Sequence, residues 1–287
     1  MPSIDDFLTP VADEINLHVT HYHGGAKTPV ICLPGLTRNA RDFEDIAKQA
    51  TVMDRDIYAI SLRGRGRSSY AKDFQTYHPI VYRDDIISLM NALTIKTAIF
   101  LGTSLGGIIT MLLNDIKPKM VTAAILNDIG PEFAPEGLAR IAGYVGQNKN
   151  TENTLSFEGA RERIKAINEI AFPGQDDIFW ENFTRRTFHQ QGQDKGWVLD
   201  YDPAIAKGFS EGEPPPDLIA PFTSLKDTPT QVFRGGISDL LSTEIVGRMK
   251  QLHPNFEYCE VPNVGHAPTL AEPIAAKRLV SFINEID

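Results

Sequence analysis

The chain has 287 residues, of which 42% are hydrophobic, 37 are acidic and 28 are basic, so its net charge at neutral pH is −9. This length and composition suit one large α/β domain, or one domain with a sizeable insertion. The acidic balance opposes a nucleic-acid partner, which needs a basic surface. Apolar runs are far shorter than the ~20 residues of a membrane span, and the N-terminus lacks a secretory signal pattern. We therefore expect a cytoplasmic protein with no membrane partner.

Short apolar runs alternate with helical patterns through the first 130 residues. Residues 15–22 alternate apolar and polar side chains, which indicates a half-buried antiparallel strand near a sheet edge. Continuous apolar runs, typical of strands covered on both faces, follow at residues 29–33, 57–60, 98–101 and 121–126. Helical periodicity separates these runs, with one helix expected from residue 105 to about 117. The alternation predicts a parallel sheet of the α/β class.

The alternation stops after residue 130 and resumes near residue 227. Residues 131–226 contain helical stretches at 137–144, 160–171 and 177–190 but no run typical of a buried strand. Strands at 231–233 and 256–261 then alternate with helices at about 242–252 and 274–286. We therefore predict a core domain formed by residues 1–130 and 227–287, with a helical cap inserted at residues 131–226.

The predicted cap is rich in aromatic residues. They include Trp180, Trp197, Phe133, Phe157, Phe172, Phe179, Phe183 and Phe188. Open α/β sheets bind ligands at the carboxyl ends of their strands, so a cap above that edge would roof an apolar pocket for a small-molecule substrate. We expect most of these rings to form the core of the cap, and three or four of them to face the pocket.

The most specific motif is Gly102-Thr103-Ser104-Leu105-Gly106, which lies between the apolar run 98–101 and a helical pattern. In that setting G-x-S-x-G is a nucleophile elbow, a tight turn that exposes the serine hydroxyl above the sheet. Glycines are favoured on both sides because side chains there would collide with the neighbouring strand and helix. The motif predicts that Ser104 is a catalytic nucleophile.

A serine hydroxyl needs a base to accept its proton, and His266 is the best candidate among seven histidines. It lies in Val264-Gly265-His266-Ala267-Pro268, a loop that follows the last predicted strand at the carboxyl edge of the sheet. His21 and His23 resemble a metal-binding pair, but no acidic or cysteine ligand lies at a suitable spacing in the sequence. We therefore expect no metal site.

The histidine in turn needs a carboxylate, and two aspartates follow predicted strands at the same edge. Asp239 follows Gly235-Gly236-Ile237-Ser238 in a short loop after the strand at 231–233, and Asp128 follows the strand at 121–126. We favour Asp239 because its loop lies beside the final strand. Asp128 remains the alternative.

Acyl transfer also requires N–H groups that stabilise the oxyanion of the tetrahedral intermediate. One donor should be the backbone N–H of Leu105, the residue after the predicted nucleophile. The other should come from the Leu33-Pro34-Gly35-Leu36 turn, with Leu36 as the favoured donor.

These motifs, together with Arg63-Gly64-Arg65-Gly66-Arg67-Ser68, resemble the α/β-hydrolase fold superfamily over essentially the whole chain. More narrowly, the chain is similar to capped bacterial serine hydrolases such as enol-lactone hydrolases, esterases and perhydrolases. The resemblance implies a three-layer fold with a mostly parallel eight-stranded sheet, a cap after strand 6, a Ser-Asp-His triad and no cofactor. Ser104 argues against the dehalogenases and epoxide hydrolases of the superfamily, which carry aspartate at this position.

The predicted activity is hydrolysis of a small to medium, partly apolar carboxylic ester or lactone through an acyl-enzyme intermediate. Two alternatives remain: carbon-carbon bond hydrolysis of a vinylogous diketone by the same triad, and a ligand-binding protein without catalysis. We expect the arginines at positions 63, 65 and 67 to anchor their loop to acidic neighbours such as Asp84 or Asp85. Cys32 and Cys259 lie in apolar runs and are expected to be buried core residues.

Overall fold

A computed structural model describes residues 2–145, 154–192 and 196–286. Its strands are β1 (Ile4–Ala12), β2 (Ile15–Leu33), β3 (Arg55–Ser61), β4 (Ala98–Thr103), β5 (Val121–Asn127), β6 (Phe188–Gln190), β7 (Trp197–Leu199), β8 (Thr230–Gly235) and β9 (Glu257–Val261). Its helices are α1 (Glu44–Ala47), α2 (Ala50–Met53), α3 (Pro79–Ala92), α4 (Leu105–Ile116), α5 (Pro135–Tyr144), α6 (Phe157–Asn168), α7 (Asp177–Thr187), α8 (Ala204–Glu211), α9 (Ile219–Thr223), α10 (Thr243–Leu252) and α11 (Pro273–Asn284).

The central sheet has seven strands in the order β1-β2-β4-β5-β8-β9, with β3 paired to β2. The pairs from β2 to β9 along this path are parallel, and β1 is antiparallel to β2. The first half of β2 runs antiparallel to β3, from His18 opposite Ser61 to Tyr22 opposite Ile57. Its second half meets the same strand again, with Val30 opposite Ile57. The long β2 therefore fills the place of two of the eight strands that the resemblance implies.

Helices cover both faces of the sheet, as predicted for a three-layer α/β fold. In β4, Phe100 packs into one apolar cluster while Ile99 and Leu101 pack into the other, because successive side chains of a strand point to opposite faces. Residues of α3, α4 and α10 share the cluster of Phe100, and residues of α1, α2 and α11 share the other. Both faces of the central strands are therefore buried beneath helices, which explains their continuous apolar runs.

The structure adds elements that the sequence patterns did not predict. Strand β1 was missed because its residues are mostly exposed and include Pro10, which an edge strand tolerates. Helix α7 ends at Thr187, shorter than predicted, because the backbone of Phe188 is extended and pairs with Leu199 in the small β6-β7 sheet. Cys32 and Cys259 are buried and unbridged, as predicted.

Helices α5 to α9 and the β6-β7 sheet all lie between β5 and β8 in the chain. This is the segment that the sequence assigns to a cap, and its status as a separate domain remains a prediction. Among the described helices, none has both the length and the apolar character needed to cross a membrane.

Candidate active site

Ser104 occupies a sharp turn between β4 and α4. Its backbone has φ 50° and ψ −112°, a conformation that costs a non-glycine residue free energy and persists only where neighbours enforce it. The Ser104 N–H donates to the Asn127 carbonyl of β5 at 3.0 Å, and the Ser104 carbonyl accepts from the Gly107 N–H at 2.9 Å. The turn is therefore held by the adjacent strand and by the first turn of α4.

The two glycines of the motif are required by close backbone approaches. A Cβ on Gly102 would lie 2.3 Å from the carbonyl carbon of Gly106, and a Cβ on Gly106 would lie 2.1 Å from the Leu33 carbonyl oxygen. Both distances are shorter than real Cβ contacts, and both obstacles are backbone atoms that have little freedom to move. Any side chain at either position would push α4 away from β2 and β4.

His266 approaches Ser104 from the loop after β9, as the sequence predicts. His266 Nε2 lies 3.0 Å from Ser104 Oγ, and its Nδ1 lies 2.8 Å from Asp128 Oδ2. The His266 side chain is 8% exposed, and the Asp128 side chain is fully buried. With its Nδ1 proton donated to the carboxylate, the imidazole presents an acceptor nitrogen to the serine hydroxyl.

The structure corrects the expectation for the carboxylate, because Asp128 contacts His266 in the place predicted for Asp239. Asp128 follows β5, the direct neighbour of β4, whereas Asp239 follows β8, one strand further away. The Asp239 carboxylate instead accepts two hydrogen bonds from Arg140 of α5, at 2.5 and 2.9 Å. Burial raises the pKa of Asp239, but the hydrogen bonds and charge of Arg140 outweigh it, so the pKa lies below its usual value.

Asp128 is held by two further donors besides His266. The Gly235 N–H donates to Oδ1 at 2.7 Å, and the Ser238 hydroxyl donates to Oδ2 at 2.6 Å. Ser238 Oγ in turn accepts the Leu241 N–H at 3.1 Å. Ser238 carries no motif in the sequence that predicts this role, and its one local signal is its place in the loop after β8.

The predicted oxyanion donors both lie at the cavity beside Ser104. Leu105 is the first residue of α4, so its N–H has no intrahelical acceptor. Leu36 lies in a turn closed by a 3.1 Å hydrogen bond from the Arg38 N–H to the Gly35 carbonyl. Arg65 Nε donates to the Leu36 carbonyl at 2.8 Å and so helps to hold that turn in place. The function of the two N–H groups remains a prediction.

A cavity of about 690 Å³ lies over the Ser104 elbow, beneath α5, α6 and α7. Among the phenylalanines named from the sequence, four line it: Phe133, Phe172, Phe179 and Phe183. Trp180 and Phe188 do not line the cavity and are almost fully buried. This division matches the expectation that three or four rings face the pocket while others form a core.

In the arginine-rich loop after β3, Arg63 pairs with Asp85 as predicted, whereas Arg65 bonds to carbonyl and hydroxyl oxygens and not to an acidic side chain. Arg63 makes two hydrogen bonds of 2.6 Å to Asp85 of α3, and both side chains are buried. Arg65 is fully buried and donates to the Tyr82 hydroxyl at 2.9 Å as well as to the Leu36 carbonyl. The loop therefore supports the Leu36 turn.

Comparison with known proteins places this geometry in a family. Residues 30–276 match the profile of the alpha/beta hydrolase family. The chain is 32% identical over 271 residues to a 3-hydroxybutyrate-oligomer hydrolase of Cupriavidus necator, and the match covers 90% of each protein.

Solved structures agree with this assignment. An alpha/beta hydrolase from Novosphingobium aromaticivorans is 37% identical, with a TM-score of 0.91 and complete coverage of both chains. A putative hydrolase from Rickettsia typhi is 26% identical, with a TM-score of 0.82, covering 99% of this chain and all of that one.

Proposed function

The chain belongs to the alpha/beta hydrolase family, and from this premise we propose that it is a serine hydrolase that cleaves a small to medium, partly apolar carboxylic ester. One observation carries the proposal: the continuous hydrogen-bonded series from Ser104 through His266 to Asp128, with contacts of 3.0 and 2.8 Å. A serine within 3.0 Å of an imidazole that is itself held by a buried carboxylate is the arrangement that activates a hydroxyl for attack.

In the proposed reaction, His266 Nε2 accepts the Ser104 proton as Oγ attacks the ester carbonyl carbon. The resulting oxyanion is stabilised by the N–H groups of Leu36 and Leu105, and Asp128 stabilises the imidazolium. The intermediate collapses, and the departing alcohol takes the proton from His266. His266 then accepts a proton from water, which attacks the acyl carbon, and returns that proton to Ser104 Oγ as the bond between Oγ and the acyl carbon breaks and the carboxylic acid leaves.

The walls of the cavity favour substrates with apolar segments on each side of the ester. Ile141 and Leu240 line it from one apolar cluster, and Ile164 and Leu270 line it from the other. The relative from Cupriavidus necator is named for oligomers of 3-hydroxybutyrate. Short oligoesters of hydroxy acids, followed by p-nitrophenyl acyl esters and lactones, are therefore the first substrates to test.

A fluorophosphonate probe tests the nucleophile directly, because an activated serine attacks phosphorus and expels fluoride. We expect labelling and ester turnover in the wild type, and loss of both in Ser104→Ala. Ser281→Ala, which changes an exposed serine of α11, is the matched control and should retain both. Ester turnover that survives in Ser104→Ala would overturn the proposal.

The same panel separates the alternative activities. A dienone substrate of the vinylogous diketone type tests for carbon-carbon bond hydrolysis. Strong dienone cleavage with no ester or lactone turnover would replace the ester proposal. A folded protein that neither reacts with the probe nor turns over any substrate would instead be a ligand-binding protein.

A further inference from the structure

Two imidazoles and a carboxylate, groups of the kinds that can ligate a metal ion, lie together at the sheet edge formed by β1, β2 and β3. His21 and His23 are two residues apart on β2, so their side chains share a face. Asp5 of β1 lies directly opposite His21 in the antiparallel register. One ligand atom from each of these three residues lies within 4.8 Å of the others. The fold thus supplies the carboxylate whose absence near His21 and His23 in the sequence argued against a metal site.

We propose that Asp5, His21 and His23 form a binding site for a divalent transition-metal ion such as Zn²⁺. Two imidazole nitrogens and one carboxylate oxygen suit zinc, nickel or copper better than calcium or magnesium, which prefer oxygen ligands alone. Three protein ligands with water in the fourth position complete a tetrahedral zinc site. The proposal stands independently of the site at Ser104.

His21 is already held in the manner of a metal-ligating histidine. Its Nε2 lies 2.9 Å from Asp56 Oδ2, and its ring stacks on Tyr58 with centroids 4.1 Å apart. Asp56 Oδ1 accepts the Gly24 N–H at 3.0 Å, which fixes the carboxylate. A carboxylate on one imidazole nitrogen orients the ring and makes the other nitrogen a better ligand. With Nε2 on Asp56, Nδ1 is the atom left for an ion.

Asp5 and His23 have the freedom to close around an ion. Their side chains are 64% and 41% exposed, and His23 Nε2 lies 2.7 Å from Asp5 Oδ2. In a tetrahedral site with zinc-nitrogen bonds of 2.0 to 2.1 Å, donor atoms lie roughly 3.3 Å apart. A pair of donor atoms at the 4.8 Å limit would need to approach by no more than roughly 1.5 Å, which side-chain rotation at an exposed edge permits.

Isothermal titration of ZnCl₂ into tag-free, chelator-treated full-length protein tests the site. We expect one Zn²⁺ per chain, with affinity reduced at least about 10-fold in both His23→Ala and Asp5→Asn. Asp6→Asn is the matched control, because Asp6 is the next residue of β1 and bonds on the opposite face to Thr20 and His18. Its affinity for Zn²⁺ should equal that of the wild type.

Imidazole NMR spectra and melting temperatures provide two further tests of the site. In imidazole NMR spectra of the wild type, Zn²⁺ should shift the signals of His21 and His23 and leave His18 in place. Zn²⁺ should also raise the melting temperature of the wild type but not that of His23→Ala, because an ion that binds only the folded state stabilises it. Absence of binding to the wild type would overturn the proposal. Binding lost in His266→Ala but kept in His23→Ala would overturn it too, by placing the ion at Ser104.

Discussion

The Ser238 hydroxyl donates a hydrogen bond of 2.6 Å to Asp128 Oδ2. That oxygen is the one that contacts His266, so Ser238 helps to set the position of the carboxylate. Residues that hydrogen-bond to the ligands of catalytic metals typically contribute about 10- to 100-fold to activity, and we expect an effect of similar size for this carboxylate. For Ser238→Ala we expect kcat to fall by about 10-fold or more on p-nitrophenyl butyrate, with KM nearly unchanged, because no substrate contact is lost.

The conservative variant Ser238→Thr separates positioning from packing. It keeps the hydroxyl that bonds to Asp128, so it should recover most of the kcat lost in Ser238→Ala. Equal kcat values for the wild type and Ser238→Ala would remove the positioning role.

The identity of the catalytic acid is tested by two matched variants. Asp128→Asn replaces an acceptor with an amide that favours the wrong imidazole tautomer of His266, and a change of this kind lowers kcat by about 10⁴-fold in a serine protease triad. We expect a comparable loss here. Asp239→Asn removes a carboxylate bonded to Arg140, so kcat should change by less than about 10-fold. The reverse ranking would assign the acid to Asp239.

The sequence predicted the elements around Ser104 well, since the information for them is local. Strands buried on both faces leave continuous apolar runs, and the glycines of the elbow stand where backbones approach closely. The loop of His266 was likewise marked by its place after the last strand. The strands and the His266 loop follow from local patterns and from the order of the strands, and the G-x-S-x-G motif marks the elbow although Gly106 approaches the distant Leu33.

The sequence pattern favours the wrong aspartate as the partner of His266, because the environment of each aspartate is set by distant residues. Asp239 forms an ion pair with Arg140, which lies 99 residues earlier in the chain. Asp128 is secured by Gly235 and Ser238, more than 100 residues later. Both aspartates follow strands at the same sheet edge, so the local pattern could not rank them. Asp5 and Asp56 are likewise distant from His21 in the sequence, so the local pattern did not show that they lie beside it in the fold.

Alanine substitutions at Gly106 and Gly247 test how tightly the elbow is packed. Both are in helices, but a Cβ on Gly106 would lie 2.1 Å from the Leu33 carbonyl oxygen, whereas nothing lies within 4 Å of the corresponding position at Gly247. Gly247→Ala should stabilise the protein by about 0.5 to 1 kcal/mol through helix propensity. Gly106→Ala should destabilise it by about 2 kcal/mol or more through overpacking. Urea unfolding of the two variants measures both effects. A stabilising Gly106→Ala would contradict the packing seen at the elbow.

The bond between Arg140 and Asp239 ties α5 to the loop after β8, and its contribution to stability should depend on pH. The pKa of Asp239 is lowered in the folded state, so its stabilisation is fully present above the unfolded pKa of about 3.9. It is lost as pH falls through the folded value. Because Asp239 is about one-third exposed, we expect Arg140→Met to lower the free energy of unfolding by about 1 kcal/mol at pH 7.

A double-mutant cycle isolates this ion pair from the packing of the arginine stem. Urea unfolding of Arg140→Met, Asp239→Asn and the double variant at pH 7 should give a coupling of about 1 kcal/mol. The coupling should shrink once the pH is well below about 3.9, where Asp239 becomes protonated in both states. A coupling that is the same at both pH values would show that the contact does not stabilise the fold through the charge of Asp239.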